Sequence, residues 1–277
     1  MPSIKEILKT SSQKLKGMEQ SPYKVASILL AESLHVETLW LLTHEDEVIE
    51  APIEFLDNIK KAQEFCPIEY LLKKCSFYSR DFYVDERVLI PRPETELLID
   101  EVIRFCKDLK EPTIAEIGTG SGIISILLAQ LLPKAKIIAT DISKDALEVA
   151  KINAKKHGVQ ERIEFVNCNL LDKVEEKIDI LVSNPPYIKR GEVLEKNLSY
   201  EPNLALFAGV LGDEILKDII DISIKKKVRY LACEMGYDQK DKIINYLKKH
   251  NMKVKFYKDL AGLDRGFILP LNPSDFA

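Results

Sequence analysis

The chain has 277 residues, 46% apolar and 30% charged, with a formal net charge of -4. That length exceeds one modest core and suits a domain of common size with a smaller companion, while the negative balance argues against gripping a long phosphate backbone, which needs clustered Lys and Arg. Five scattered cysteines without a C-x-x-C pair and four isolated histidines point to reduced, mostly buried thiols and no metal, and no apolar run approaches the ~20 residues of a membrane helix. No membrane partner is expected, and the cytoplasm is the expected compartment.

Residues 1–74 read as helices only. Ile4, Ile7, Leu8 and Leu15 recur at helical spacing up to Gly17, and Ser21-Pro22 opens a second helix carrying Val25, Ile28, Leu29 and Leu30. A third segment runs from Val36 to Leu42, a fourth starts at Pro52 and passes through Phe55, Ile59, Ala62 and Phe65, and Pro67 to Leu72 forms a short helical turn. Through Cys75, nine lysines and no arginine stand against twelve Asp and Glu. That is no nucleic-acid tail. The expectation is a small helical bundle, either packed on the main domain or serving as a docking module for a macromolecular substrate.

Beyond it the period changes to about two. Phe77, Asp81 to Val84 and Val88 to Ile90 read as short strands with turns at Ser79-Arg80 and Asp85-Glu86, a hairpin linker over residues 75–94. In Ile90-Pro91-Arg92-Pro93-Glu94-Thr95, two prolines make a rigid extended segment in which Arg92 is a fixed donor toward a ligand or the surface residue of a capped linker. Glu94 and Thr95 can open the helix from Glu96 to Lys110.

Strand and helix then alternate over residues 95–277. Strand Thr113 to Ile117 leads into the loop Gly118-Thr119-Gly120-Ser121-Gly122 and an apolar helix, Ile123 to Leu132. A dinucleotide fingerprint would need glycine where Ile123 stands, and a P-loop would need Gly-Lys-Ser/Thr. With Glu116 two residues ahead, the G-x-G-x-G spacing instead resembles the S-adenosylmethionine loop of Rossmann-like methyltransferases. The strand Lys136 to Thr140 ends at Asp141, a carboxylate that can accept from a ribose diol or cap the following helix. Strand Ile163 to Val166 ends near Asn169 and Leu170, facing an adenine or forming a plain loop.

The apolar strand Ile178 to Val182 delivers Ser183-Asn184-Pro185-Pro186-Tyr187-Ile188. Two adjacent prolines stiffen the turn and hold Asn184 extended, so its side-chain oxygen and the Pro185 carbonyl could face one point, with Tyr187 flat beside it. A planar NH2 group, with two hydrogens and a face, suits such a site. Helix Asp213 to Lys226, strand Arg229 to Cys233, helix Tyr237 to His250, and strands Lys253 to Lys258 and Gly266 to Leu269 complete a seven-stranded α/β sheet with an antiparallel edge hairpin.

Taken together, the sequence resembles the release factor glutamine methyltransferases. The similar segments include Pro67 to Leu71, Phe77-Tyr78, Val88 to Glu96, the Gly118 to Gly122 loop, Asn184 to Ile188 and Tyr200-Glu201-Pro202. Others are Ala205 to Gly209, Glu234-Met235-Gly236 with Gln239, and Asp259 to Gly262 with Asp264-Arg265. Amino-methylating enzymes of DNA share only the Asn-Pro-Pro-Tyr segment. The resemblance implies a Rossmann-like domain that moves a methyl group from S-adenosylmethionine, leaving S-adenosylhomocysteine, to the side-chain amide nitrogen of the glutamine in the Gly-Gly-Gln tip of peptide chain release factors. It implies that Glu116, Gly118 to Gly122, Asp141, Asn169, Leu170 and Asn184 bind the cofactor. It also implies that Asn184, Pro185, Pro186 and Tyr187 bind the glutamine, and Arg92, the fixed donor of the proline segment, is expected at the substrate side. Glycines usual at positions 73 and 79 are Lys73 and Ser79 here, and Leu211 replaces a usual Asp. The alternative is an amino-group methyltransferase acting on adenine or cytosine, which would want a basic channel and base-gripping aromatics.

Overall fold

The computed structural model describes residues 1–17, 21–107 and 109–271, and the chain divides into two compact units. One comprises residues 1–74 and 195–200, the other residues 75–194 and the chain from Glu201 onward.

In the first unit, α1 (Ile4–Lys14) starts where the Ser3 hydroxyl accepts from the Glu6 N–H at 3.3 Å and Glu6 Oε2 accepts from the Ser3 N–H at 3.0 Å. Two helix-end donors are thereby satisfied reciprocally. Helices α2 (Pro22–Leu34), α3 (Thr38–Thr43), α4 (Ile53–Gln63) and α5 (Ile68–Leu72) follow. Leu8, Leu29, Leu30 and Phe55 are wholly buried between them, each such side chain stabilising by about 1.5–3 kcal/mol before chain entropy is counted. The later stretch 195–200 belongs here too. Its Tyr200 hydroxyl donates to the Glu64 carbonyl at 2.9 Å, and the Lys196 ammonium stands 4.4 Å from the centre of the Phe65 ring.

The second unit opens with the hairpin β1 (Cys75–Phe77) and β2 (Arg80–Phe82). The turn falls at Tyr78-Ser79, one residue earlier than expected, because Phe77 pairs with Arg80. Tyr78 (φ 51°) and Ser79 (φ 57°) are both left-handed, as a two-residue turn of matching twist requires. Lys73, just after α5, is left-handed as well (φ 50°). The two positions where glycine is usual are thus left-handed here without it. The strand expected over Val88 to Ile90 does not form, since the Ile90 N–H is taken at 3.1 Å by the Glu201 carboxylate rather than by a neighbouring strand.

After it come α6 (Thr95–Cys106), β3 (Thr113–Ile117), α7 (Ile123–Leu131), β4 (Lys136–Asp141), α8 (Lys144–Lys156), β5 (Ile163–Asn167), β6 (Ile180–Ser183) and β7 (Ile188–Lys189). The chain ends with α9 (Asn203–Leu206), β8 (Phe207–Gly209), α10 (Glu214–Lys225), β9 (Tyr230–Glu234), α11 (Lys240–Lys248), β10 (Lys255–Lys258) and β11 (Asp264–Pro270). Helix α6 stops four residues short of Lys110, and Asp108 and residues 272–277 lie outside the described residues.

Seven strands form one sheet in the order β10-β11-β9-β6-β3-β4-β5, with β11 antiparallel to both its neighbours. The expected edge hairpin is β10–β11, and β7 and β8 add a short parallel ladder that the sequence reading did not anticipate. Alternation along each strand splits the core in two. Ile114, Ile137, Ile180 and Ala232 face α6, α7 and α8, while Ala115, Ile138, Leu181 and Leu231 face α10 and α11. Both faces are covered, so the strands read as continuous apolar runs. Strand order reverses between β3 and β6, and in such sheets ligands bind beyond the strand ends at the reversal.

Two substitutions test these backbone readings. Replacing Lys73 or Ser79 with glycine is expected to raise unfolding stability by about 0.5–1 kcal/mol each, since a side chain at left-handed φ costs more than glycine's extra chain entropy; a lower denaturation midpoint would contradict it. Gly122→Ala should destabilise by roughly 2 kcal/mol or more, as it combines a left-handed φ with overpacking: at φ 84° the added methyl would stand 3.0 Å from Ala150 Cβ and 3.1 Å from Ile126 Cδ1.

Candidate functional site

The loop that follows β3 keeps most of its backbone donors occupied. Gly118 and Thr119 N–H donate to the Thr140 carbonyl at 2.9 and 3.0 Å, Gly122 N–H to the Thr119 carbonyl at 2.8 Å, and Gly120 N–H to Asp141 Oδ2 at 2.9 Å. A phosphate cradle offers such groups to the ligand; this loop spends four of them internally. A methyl added to Gly118 (φ 71°) or Gly120 (φ 54°) would meet nothing within 4 Å, so both glycines border open space. Gly122 instead serves the packing of α7 on α8.

Carboxylates hold this loop. Glu116, 2% exposed at the end of β3, accepts through Oε2 from the Thr119 hydroxyl at 2.7 Å, the Ser125 N–H at 3.1 Å and the Ser125 hydroxyl. Burial pushes its carboxyl up to about 7 against those donors, with Asp141 nearby adding to the rise. Asp141 is 8% exposed and is also raised by burial, opposed by the Gly120 and Ser143 N–H groups. Acids gathered around a loop that has four of its five backbone donors already occupied suit a cationic ligand that carries hydroxyls, and disfavour a pyrophosphate.

These residues line a cavity of about 460 Å³. Of the residues singled out from the sequence, Glu116, the loop from Gly118 to Ser121 and Asp141 form one part of its wall. Asn169 and Leu170 contribute together from the end of β5, and Asn184, Pro185 and Pro186 from the end of β6. Arg92 lines it too, but its guanidinium is held at 2.5 Å by Glu201, which is 5% exposed. Gly122 and Tyr187 are absent from the wall. The Tyr187 ring packs toward Gly236, where an added methyl would stand 3.4 Å from it.

Asn184 is oriented from behind. Its Nδ2 donates to the Thr95 hydroxyl at 3.0 Å, and that hydroxyl donates to Glu234 Oε2 at 2.8 Å. Thr95 is the first residue of α6, and Glu234, 1% exposed, ends β9 beside β6. With one Nδ2 hydrogen given to Thr95, Oδ1 makes no hydrogen bond among the described residues and is the acceptor that Asn184 brings to the cavity it lines. Burial pushes the Glu234 carboxyl up to about 7, opposed by Thr95 and by the charge of Arg265. Arg265 itself donates to Asp259 Oδ2 at 2.8 and 3.2 Å, which closes the β10–β11 turn.

Sequence reasoning missed several residues that hold the site. Asn153, wholly buried on α8, donates to the carbonyls of Tyr83 and Ser121 at 2.9 and 2.8 Å and accepts from the Tyr83 N–H at 2.6 Å. It ties the hairpin to the glycine loop, and only its polarity among apolar helix neighbours could have marked it. Gln239, 1% exposed, accepts from the Gly236 N–H at 3.0 Å and donates to the Gly212 carbonyl at 2.6 Å. Thr95, read only as opening its helix, and Glu201, Glu234 and Gln239 lay inside segments noted for their resemblance, without a part in the site. Among the described residues, no cluster of three His, Cys, Asp or Glu is placed to hold a metal, and no helix is long and apolar enough to cross a membrane.

Comparison with known proteins agrees with this geometry. The Methyltransferase small domain family matches residues 94–201, which carry the glycine loop and Asn184. The release factor glutamine methyltransferase of Clostridium acetobutylicum is 33% identical over 95% of this chain and 96% of its own, and that of Chlorobaculum tepidum is 37% identical over 95% and 96%. The bifunctional methyltransferase of Rickettsia typhi is 36% identical over 98% of this chain, which spans 58% of that longer protein. In fold, the human Mettl16 catalytic domain, solved with a MAT2A 3'UTR hairpin, superposes with a TM-score of 0.56 over 69% of this chain and 75% of its own at 19% identity. With relatives matched at this identity over nearly their whole length, the chain belongs to the release factor glutamine methyltransferase family, enzymes that use S-adenosylmethionine to methylate protein glutamine.

Proposed function

We propose that this chain methylates the N5 amide nitrogen of the glutamine in the Gly-Gly-Gln segment of peptide chain release factors, in support of translation termination, and that Asn184 selects that nitrogen. The observation that carries this reading is the commitment of Asn184 Nδ2 to Thr95, which leaves Oδ1 for the cavity. An amide nitrogen brings two hydrogens and needs acceptors. Asn184 Oδ1 and the Pro185 carbonyl supply them, with Pro186 keeping the turn stiff.

Bound S-adenosylmethionine supplies an electrophilic methyl group. Asp141 would hold its ribose, Gly118 to Gly120 would admit it close to the backbone, Asn169 and Leu170 would meet its adenine, and the buried acids would compensate its positive charge. An amide lone pair is delocalised into its carbonyl and is a poor nucleophile. Positive charge builds on the nitrogen as the bond forms, and the two acceptors stabilise that charge in a site already organised for it. No side chain has to remove a proton first, because the N-alkylated amide is a strong acid and loses one to water. The rest is placement of the nitrogen in line with the methyl group. Arg92, held by Glu201, borders the substrate side, with Tyr187 in the turn after Pro186.

The bundle of residues 1–74 is the docking module for the release factor under this reading, the hairpin of 75–94 links it to the catalytic domain of 95–277, and the cytoplasm is the implied compartment. No nucleic acid is needed as a direct partner.

Incubating the protein with radiolabelled cofactor and either purified release factor or DNA and RNA tests the proposal. Label is expected on the release-factor glutamine, and label confined to nucleic acid would refute it. Asn184→Ala should lower kcat by about 100- to 1000-fold with cofactor affinity little changed; parallel losses in both would contradict the assigned role.

A further inference from the structure

We propose that Thr95 and Glu234 are positioning residues that decide which atom of the Asn184 carboxamide the cavity meets, and so make the site selective for an NH2 group. The inference deepens the reading above and rests on it. A carboxamide turned half a revolution about χ2 has almost the same shape with oxygen and nitrogen exchanged, so packing alone does not choose between the two. The choice comes from a hydroxyl with one hydrogen. Thr95 gives that hydrogen to Glu234 at 2.8 Å and must therefore accept from Asn184, at 3.0 Å, through its own oxygen. The direction of both bonds is set at the carboxylate.

Around Glu234, Arg265 on β11 and Arg92 in the proline segment bring positive charge, and Glu94 at the start of α6 brings negative charge. The charge of Glu234 also reaches the Tyr187 and Tyr257 phenols and the Cys233 thiol, the last pointing to the other face of the sheet. Both arginines are bound to other acids, Arg265 to Asp259 and Arg92 to Glu201. If Glu234 takes a proton from water onto Oε2, the new O–H donates to the Thr95 oxygen. Thr95 then turns its own hydrogen to Asn184, which can accept only by rotating Oδ1 toward it. The NH2 group of Asn184 now faces the cavity, donor against donor, and a substrate amide is refused. The single covalent change is the O–H bond on Glu234.

The sign follows. The ionised carboxylate supports the acceptor orientation, so the competent form gains as pH rises through about 7. A direct test follows the side-chain amide signals of Asn184, assigned by their loss in Asn184→Asp, by 15N NMR of the full chain between about pH 5.5 and 8.5, the range around a histidine-like midpoint. In the wild type they should shift with a midpoint near 7; Thr95→Ser should keep the shift, and Thr95→Val, isosteric without the hydroxyl, should abolish it while leaving Glu116 to titrate. Asn184 signals that stay fixed, or that titrate unchanged in Thr95→Val, would overturn the relay. Should Thr95→Val fail to fold, the wild-type titration and the Thr95→Ser comparison decide alone. In kinetics at saturating cofactor, kcat should follow the same ionisation, and Thr95→Val should lower it by roughly 10- to 100-fold, the usual loss for an outer partner of a functional side chain. The NMR readout needs no turnover, so a failed relay is distinguishable from absence of glutamine methylation, which would leave the release factor unlabelled by the wild type at every pH.

Discussion

The Thr95 hydroxyl joins the start of α6 to the ends of two neighbouring parallel strands, β6 and β9. Each partner is otherwise held: Asn184 by the two prolines behind it, Glu234 by a ladder in which Cys233 lies level with Ser183, and Thr95 by its place as the first residue of a helix. The dihedral freedom of a surface loop is therefore missing at the residue proposed to meet the substrate. Rigid acceptors lower reorganisation at the moment charge appears, which is where electrostatic catalysis gains most. The remaining walls repeat this economy, with Asn153 fixing the glycine loop to the hairpin and Glu201 fixing the proline segment.

Three buried acids, Glu116, Asp141 and Glu234, crowd the carboxyl edge of the sheet, and burial raises the carboxyl of each. Such groups cost stability when ionised, and a chain selected for stability alone would replace them. Their sign is opposite to that of a nucleotide-phosphate site, and the loop donors are turned inward to match. A cationic ligand and a nitrogen that becomes positive during reaction both benefit from that arrangement. The acids and the expected chemistry explain one another.

Much of this was legible in the sequence because it rests on local rules. Alternating strands and helices, the glycine spacing that excluded two nucleotide loops, and the Pro-Pro turn after an apolar strand all report nearest-neighbour physics, and the seven-stranded sheet with its edge hairpin followed. What stayed hidden depends on contacts distant in the chain. Thr95 and Glu234 are 139 residues apart, and Ile90 loses its strand to a carboxylate 111 residues away. Tyr187 follows Asn184 in the turn, and its ring also comes close to Gly236, a contact that no spacing encodes. The left-handed turn at Tyr78-Ser79 escaped because neither residue type announces a positive φ.

The stretch 195–200 packs with the first unit although both its flanks belong to the second, so the polypeptide passes between the units three times rather than once. A contiguous amino-terminal fragment ending at residue 74 would lack the strand of chain that supplies Tyr200 and Lys196, and the complementary fragment would carry those side chains with Glu64 and Phe65 gone. Neither half is a self-contained module in the genetic sense. Shuffling this amino-terminal bundle onto another catalytic body would require transplanting a second, internal insert along with it, which makes the two parts heritable as a pair.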